Sequence, residues 1–171
     1  MSRILLSDAS PHAQRLGESI LRGEGHEVVT VTDGETALRR MADVDPDLVL
    51  ADVALPQGSG LDLCRFLKSQ PRHRFTKIVL TAGAMAVVDE EAARRAGSDA
   101  LIRKPFEASV LVETLRPLLE FVRRERAAAE PASGSTVDRE RVRAAVTLAL
   151  DAAMPAMINE LTDRVIAALD Q

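Results

Sequence analysis

Four short apolar runs in this chain each lead into one polar side chain, and that pattern leaves few folds open. Ile4-Leu5-Leu6-Ser7 leads into Asp8, Leu48-Val49-Leu50-Ala51 into Asp52, Ile78-Val79-Leu80 into Thr81, and Leu101-Ile102-Arg103 into Lys104, which precedes Pro105. Short apolar runs bounded by Gly and Pro read as strands buried on both faces, the condition of strands in a parallel sheet. The strand candidates are 3–7, 26–31, 47–52, 77–81 and 99–103, and helical stretches fill the gaps at 11–23, 34–43, 59–69, 85–96 and 107–126. Such alternation predicts an α/β domain, a parallel sheet covered on both faces by right-handed crossovers. In open sheets of this kind the ligand crevice lies beyond the carboxyl ends of the strands. Asp8, Asp52, Thr81 and Lys104 are therefore expected on one rim, bringing two carboxylates, a hydroxyl and an ammonium together.

Local punctuation agrees with this alternation. Ser10 before Pro11 suits an N-cap followed by proline at the first helical position. Thr32 and Glu35 have capping-box spacing, and Gly23, Gly25 and Gly97 stand where helices should stop. The composition changes after the fifth helix. Residues 127–136 are small and polar with Pro and Gly, and read as a linker between a first domain, 1–126, and a helical extension, 137–171. In that extension Val142, Val146, Leu150, Ala153, Met157, Leu161, Val165 and Ala168 form one apolar stripe, and Pro155 is expected to kink it. The stripe has three candidate partners: a second copy of the chain, a different protein, or the first domain.

Composition excludes several classes. With 171 residues, 46% of them hydrophobic, a net charge of −4 and a pI near 5.4, the chain is globular and ill suited to binding nucleic acid or an anionic lipid surface. No run approaches the ~20 apolar residues a bilayer crossing needs, and the N-terminus does not read as a secretory leader. A cytoplasmic location is expected. The lone Cys64 offers neither an internal disulfide nor a Cys-based zinc site, and reads as a small buried hydrophobe on a helix. His12, His26 and His73 are too dispersed for a metal centre. Gly58-Ser59-Gly60 lacks phosphate-loop spacing and reads as a turn, and residues 137–171 show no helix-turn-helix pattern.

Two enzymatic readings fail on single residues. A hydrolase with an aspartyl nucleophile needs a second acid two positions on, where Ala54 stands, and a dinucleotide-binding domain needs G-x-G-x-x-G where the chain reads Asp8-Ala9-Ser10-Pro11-His12. What remains is a set of motifs in order: an acid after the first strand, PDLVLADVALPQGSG around Asp52, KIVLTAG around Thr81 and LIRKPF around Lys104. On these, residues 3–121 resemble the receiver domain of two-component response regulators. The resemblance implies a doubly wound, flavodoxin-like sheet of five strands in the order 2-1-3-4-5. It also implies that Asp52 accepts a phosphoryl group from a sensor histidine kinase, with Thr81 and Lys104 binding phosphoryl oxygens. Magnesium would be held by Asp8, Asp52 and the backbone carbonyl of Ala54. The chain would not be an enzyme, and its output would be protein contact with a downstream partner or with itself through residues 137–171, not DNA binding.

Two departures from the family pattern bear on that expectation. The family places two adjacent acids after the first strand, and here the second is Ala9. Losing that carboxylate weakens magnesium binding and also relieves like-charge repulsion in the pocket. This keeps open the alternative of a pseudo-receiver, an interaction scaffold that works without phosphorylation. The second departure is Leu101, where an aromatic lever is common; an aliphatic side chain leaves any switch subtler.

Overall fold

The expected β–α alternation is realised in a computed structural model that describes residues 1–86 and 88–129, together with Arg143 and Thr147. The strands are β1 (Arg3–Ser7), β2 (Glu27–Val31), β3 (Leu48–Asp52), β4 (Lys77–Ala82) and β5 (Ala100–Arg103). Between and after them run α1 (Pro11–Gly23), α2 (Gly34–Val44), α3 (Gly60–Ser69), α4 (Glu90–Ala96) and α5 (Ala108–Ala129), with a short 3₁₀ turn at Pro71–His73. The sheet is parallel in the order β2-β1-β3-β4-β5.

Period-two alternation sorts the strand residues into two core layers. Leu5, Val49, Ala51, Ile78 and Leu80 pack with Ala37, Met41, Leu63, Leu67, Ala93 and Ala96, the inner faces of α2, α3 and α4. Ile4, Leu6, Leu48, Leu50, Val79 and Ile102 pack with Leu21 of α1 and Leu111, Leu115 and Leu119 of α5. Each of these large side chains, when fully buried, contributes about 1.5–3 kcal/mol. The two layers together hold the strand ends in register.

Helix ends match the sequence at α1, where Ser10 caps and Pro11 opens the helix, and depart from it at three others. The expected capping box from Thr32 to Glu35 does not form: Asp33 caps α2, its Oδ1 accepting the Thr36 N–H at 2.7 Å. The carboxylate one residue closer to the helix displaces the hydroxyl, which donates to Asp33 instead. Helix α4 begins at Glu90, not 85, because Asp89 caps it and Gly83–Ala86 closes a turn.

Helix α5 continues through Ala127–Ala129, which the sequence assigned to the linker. Alanine has the highest helix propensity, and the preceding turn is anchored. The Arg126 guanidinium reaches Asp45 Oδ2 at 2.9 Å, Asp47 Oδ1 at 3.1 Å and the Pro46 carbonyl at 3.1 Å. Burial would raise the Asp45 carboxyl, but the Arg126 hydrogen bond, with the charges of Arg126, Arg3 and Arg72, holds it below the usual range. Beyond α5, Arg143 and Thr147 are helical, the Thr147 hydroxyl donating to the Arg143 carbonyl at 2.8 Å. The rest of the linker and of the expected extension, Pro155 included, lies outside the described residues.

Candidate functional site: an ion cluster at the strand ends

Strand register assembles the site. Asp52 ends β3 and pairs with Thr81 of β4. Ser7 pairs with Ala51, which puts Asp8 one residue beyond β1, and Ala82 pairs with Arg103, which puts Lys104 one residue beyond β5. Backbone bonds carry the ladder past the strands: Val53 N–H donates to the Thr81 carbonyl at 2.9 Å, and Lys104 N–H to the Ala82 carbonyl at 2.7 Å.

At this rim the Lys104 ammonium bridges the two carboxylates. Its Nζ donates to Asp8 Oδ2 at 2.5 Å and also to Asp52 Oδ2. The other carboxylate oxygens are held by backbone donors, Asp8 Oδ1 by the Ser10 N–H at 2.9 Å and Asp52 Oδ1 by the Ala54 N–H at 2.8 Å. The Asp8, Asp52 and Lys104 side chains are 5%, 16% and 18% exposed, so their charges are only lightly screened by water. Burial works against the Lys104 ammonium, yet the hydrogen bonds and charges of Asp52 and Asp8 outweigh it and raise its pKa above the ordinary 10.5. Lys104 is therefore charged at neutral pH.

Thr81 is buried beside Asp52, and among the described residues none of the Asp8, Asp52 or Lys104 side-chain bonds goes to its hydroxyl. Ala9, next in sequence to Asp8, is exposed and contributes a methyl group where a carboxylate would complete an acidic triad. No group of three or more His, Cys, Asp or Glu side chains that would hold a metal occurs among the described residues. The two carboxylates are oxygen donors of the kind magnesium accepts, since it keeps several waters and takes one or two carboxylates. The chemistry of the Asp8 and Asp52 carboxylates fits a magnesium ion, with Lys104 as the cation now between them.

One participant was not legible in the sequence. The Gln14 side chain, on the first turns of α1, donates through Nε2 to the Asp8 carbonyl at 2.5 Å and the Val31 carbonyl at 3.2 Å. It ties the ends of β1 and β2 together just below Asp8. A glutamine early in a helix carries no pattern that announces such a bond.

The remaining candidates stay apart from this rim. Leu101 is half-buried and packs against the layer under α2, α3 and α4. Cys64 is buried, which pushes its thiol up to about 12 and leaves it inert. His12 is exposed on α1; His26 lines a cavity of about 70 Å³ between α1 and α5, and His73 is buried with Nδ1 4.0 Å from Asp45 Oδ1. Among the described residues, no helix is long and apolar enough to cross a membrane.

Comparison with known proteins agrees with this geometry. Residues 4–116 match the family model of the response regulator receiver domain. The chain is 34% identical over 117 residues to the DNA-binding response regulator MtrA of Mycolicibacterium smegmatis, covering 68% of this chain and 50% of that protein. It is 26% identical over 114 residues to protein PilG of Pseudomonas aeruginosa, covering 67% of this chain and 84% of that one. Among solved structures, the CheY-like receiver domain protein of Methanospirillum hungatei superposes with a TM-score of 0.65 at 26% identity, over 73% of this chain and 98% of that one. The chain thus spans about half the length of its mycobacterial relative and most of the length of the two single-domain-sized ones. By the matched residues and the sheet order alike, the chain belongs to the response regulator receiver domain family, the phosphorylation-based signalling modules of two-component systems.

Proposed function

We propose that this chain accepts a phosphoryl group on Asp52 from the phosphohistidine of a sensor kinase and passes the signal on by protein contact. The observation that carries the reading is the Lys104 ammonium poised on both Asp8 and Asp52 at the carboxyl ends of the strands. A carboxylate attacks phosphorus only when the phosphoryl oxygens are neutralised and the donor is held in line. With Asp52 Oδ1 held by the Ala54 N–H, Oδ2 is the oxygen that bonds to phosphorus while the P–N bond breaks and the imidazole nitrogen keeps the electron pair. Lys104 leaves Asp52 Oδ2 for a phosphoryl oxygen, remaining on Asp8, and the Thr81 hydroxyl hydrogen-bonds a second oxygen. Receiver domains of this family generally bind Mg²⁺ in the acidic pocket. Here Asp8, Asp52 and the Ala54 carbonyl would hold it, and when bound it neutralises phosphoryl charge.

The chain is a phosphoacceptor in this reading and not a turnover enzyme, since Ala54 offers no acid two positions after the nucleophile. Output through protein contact, with a partner or a second copy at 137–171, rests on the amphipathic stripe of that segment and its lack of a recognition-helix pattern. A small phosphodonor with and without magnesium, followed on a phosphate-affinity gel, tests the chemistry. A shifted band that Asp52→Asn abolishes is the expected result; no modified protein under any condition rejects the reading.

A second reading has its own observation. With Ala9 in place of an acid, Lys104 already neutralises half of the pocket's carboxylate charge without metal. In that case the domain is a phosphorylation-independent scaffold, and Asp52→Asn leaves its signalling intact in the cell. Loss of signalling in that variant favours the phosphoacceptor.

A further inference from the structure

Gly34, the first residue of α2, lies against the backbone of another loop. A Cβ built on it would stand 2.3 Å from the Gly58 carbonyl oxygen, 2.8 Å from that carbonyl carbon and 2.9 Å from the Gly58 Cα. All three are backbone atoms, so no side-chain rotation relieves the clash, and any larger residue must push the two segments apart. The Gly34 N–H also donates to the Pro56 carbonyl at 3.0 Å. The start of α2 is thereby closed onto residues 53–59, the loop that leaves Asp52 and leads to α3.

The same loop is gripped at its far end. A Cβ on Gly60 would lie 2.6 Å from the Asp52 carbonyl oxygen and 2.8 Å from Leu80 Cδ2. Between these two contacts the backbone turns through Gln57 and Gly58 at φ 52° and 116°. The Val53 N–H still donates to the Thr81 carbonyl and Leu55 is buried in the core, and beyond them the path of the loop is bounded by Gly60 against Asp52 on one side and by Gly34 with Pro56 and Gly58 on the other. On that path rides the Ala54 N–H, which holds Asp52 Oδ1.

Taking Asp52 as the phosphoacceptor, we propose that Gly34 is a positioning residue for phosphoryl acceptance: its bare Cα lets α2 clasp Gly58 and so holds the Ala54 amide that orients the Asp52 carboxylate. Gly34 touches no reacting atom. It acts on the attack angle, because a carboxylate freed from the Ala54 N–H samples rotations that do not face the phosphorus, and small misplacements in such steps are costly in rate. The effect on rate is distinct from any loss of stability that the same clash brings.

The test is Gly34→Ala in the full chain, with Leu115→Ala as a control that weakens the opposite core layer and leaves the loop alone. The readings are the initial rate of phosphorylation by acetyl phosphate with magnesium, and the amide resonance and hydrogen exchange of Ala54, at a temperature where all three proteins are folded. Gly34→Ala is expected to be slower by about tenfold to a hundredfold, with a shifted and faster-exchanging Ala54 amide, while Leu115→Ala keeps the wild-type rate. A wild-type rate and an unmoved Ala54 amide in folded Gly34→Ala overturn the proposal, as does an equal loss in Leu115→Ala. Should Gly34→Ala fail to fold, the unaltered chain decides: Gly34 and Ala54 amides protected well above the exposed Ala84 support the clasp, and exchange as fast as Ala84 overturns it. A wild-type chain that takes no phosphoryl group rejects Asp52 as acceptor and the positioning role with it, a failure distinct from a wild-type rate in folded Gly34→Ala.

Discussion

At the scale of single residues, the chemistry turns on one ammonium between two carboxylates. Removing one partner of a poorly solvated ion cluster leaves the remaining charges uncompensated, a loss of about 3–5 kcal/mol in comparable buried pairs. Lys104→Met is therefore expected to lower the thermal unfolding midpoint, because Asp8 and Asp52 then face each other without a cation. Magnesium should restore that midpoint further in the variant than in the unaltered chain, since it no longer competes with the ammonium. Equal shifts with magnesium in both proteins would count against a shared pocket. Ala9→Asp tests the same balance from the other side: a third carboxylate beside Asp8 should tighten magnesium binding, read by titrating the Ala54 amide resonance. Asp8, Asp52, Thr81 and Lys104 were all legible in the sequence because each follows an apolar run. Gln14 was not, because its bonds go to the carbonyls of Asp8 and Val31, which no side-chain pattern encodes.

Elements show where local signals decide and where they are overridden. Helix α3 is opened by a full capping box, Ser59 Oγ accepting the Asp62 N–H at 3.2 Å and Asp62 Oδ2 accepting the Ser59 N–H at 3.0 Å. Ser59→Ala should destabilise the domain by about 1 kcal/mol, measurable by urea unfolding, and a shift within error would show that Asp62 alone suffices. The sequence marked Gly58-Ser59-Gly60 as a turn, and the structure adds that its serine starts a helix. At α2 the spacing of Thr32 and Glu35 suggested the wrong cap, since Asp33 lies closer to the first free amides. At α5 the alanines after Arg126 read as linker by composition, yet the helix continues because Arg126 is fastened to Asp45, Asp47 and Pro46. That fastening joins residues far apart in sequence.

For the molecule as a whole, acid sensitivity is expected to begin with two imidazoles. Burial first of all lowers the pKa of both His26 and His73 from the ordinary 6.5, and around His73 the charges of Arg72 and Arg126 add to this while Asp45 opposes it. The unfolded chain then binds protons before the folded one as the pH falls past 6.5, so stability present above that value is lost as the pH descends through the depressed folded values. Urea midpoints measured from neutral pH downward should fall across that window, and His73→Leu should flatten part of the slope. An unchanged slope in the variant would assign the effect elsewhere. At lower pH, the Asp45 carboxyl, held below its ordinary 3.8, adds a further loss as it takes up its proton and releases Arg126.

The order of strands and helices, the two core layers and the identity of the residues at the rim follow from the sequence alone, because apolar periodicity and strand-end polarity are local properties of the chain. Only the tertiary structure decided which of those residues share a charge. Strand register brings Lys104 to both Asp8 and Asp52, and neither that pairing nor the closure of Gly34 on Gly58 has a signal within any one segment. Contacts between backbones and between distant strand ends depend on how the elements pack, and packing is fixed by the whole core at once.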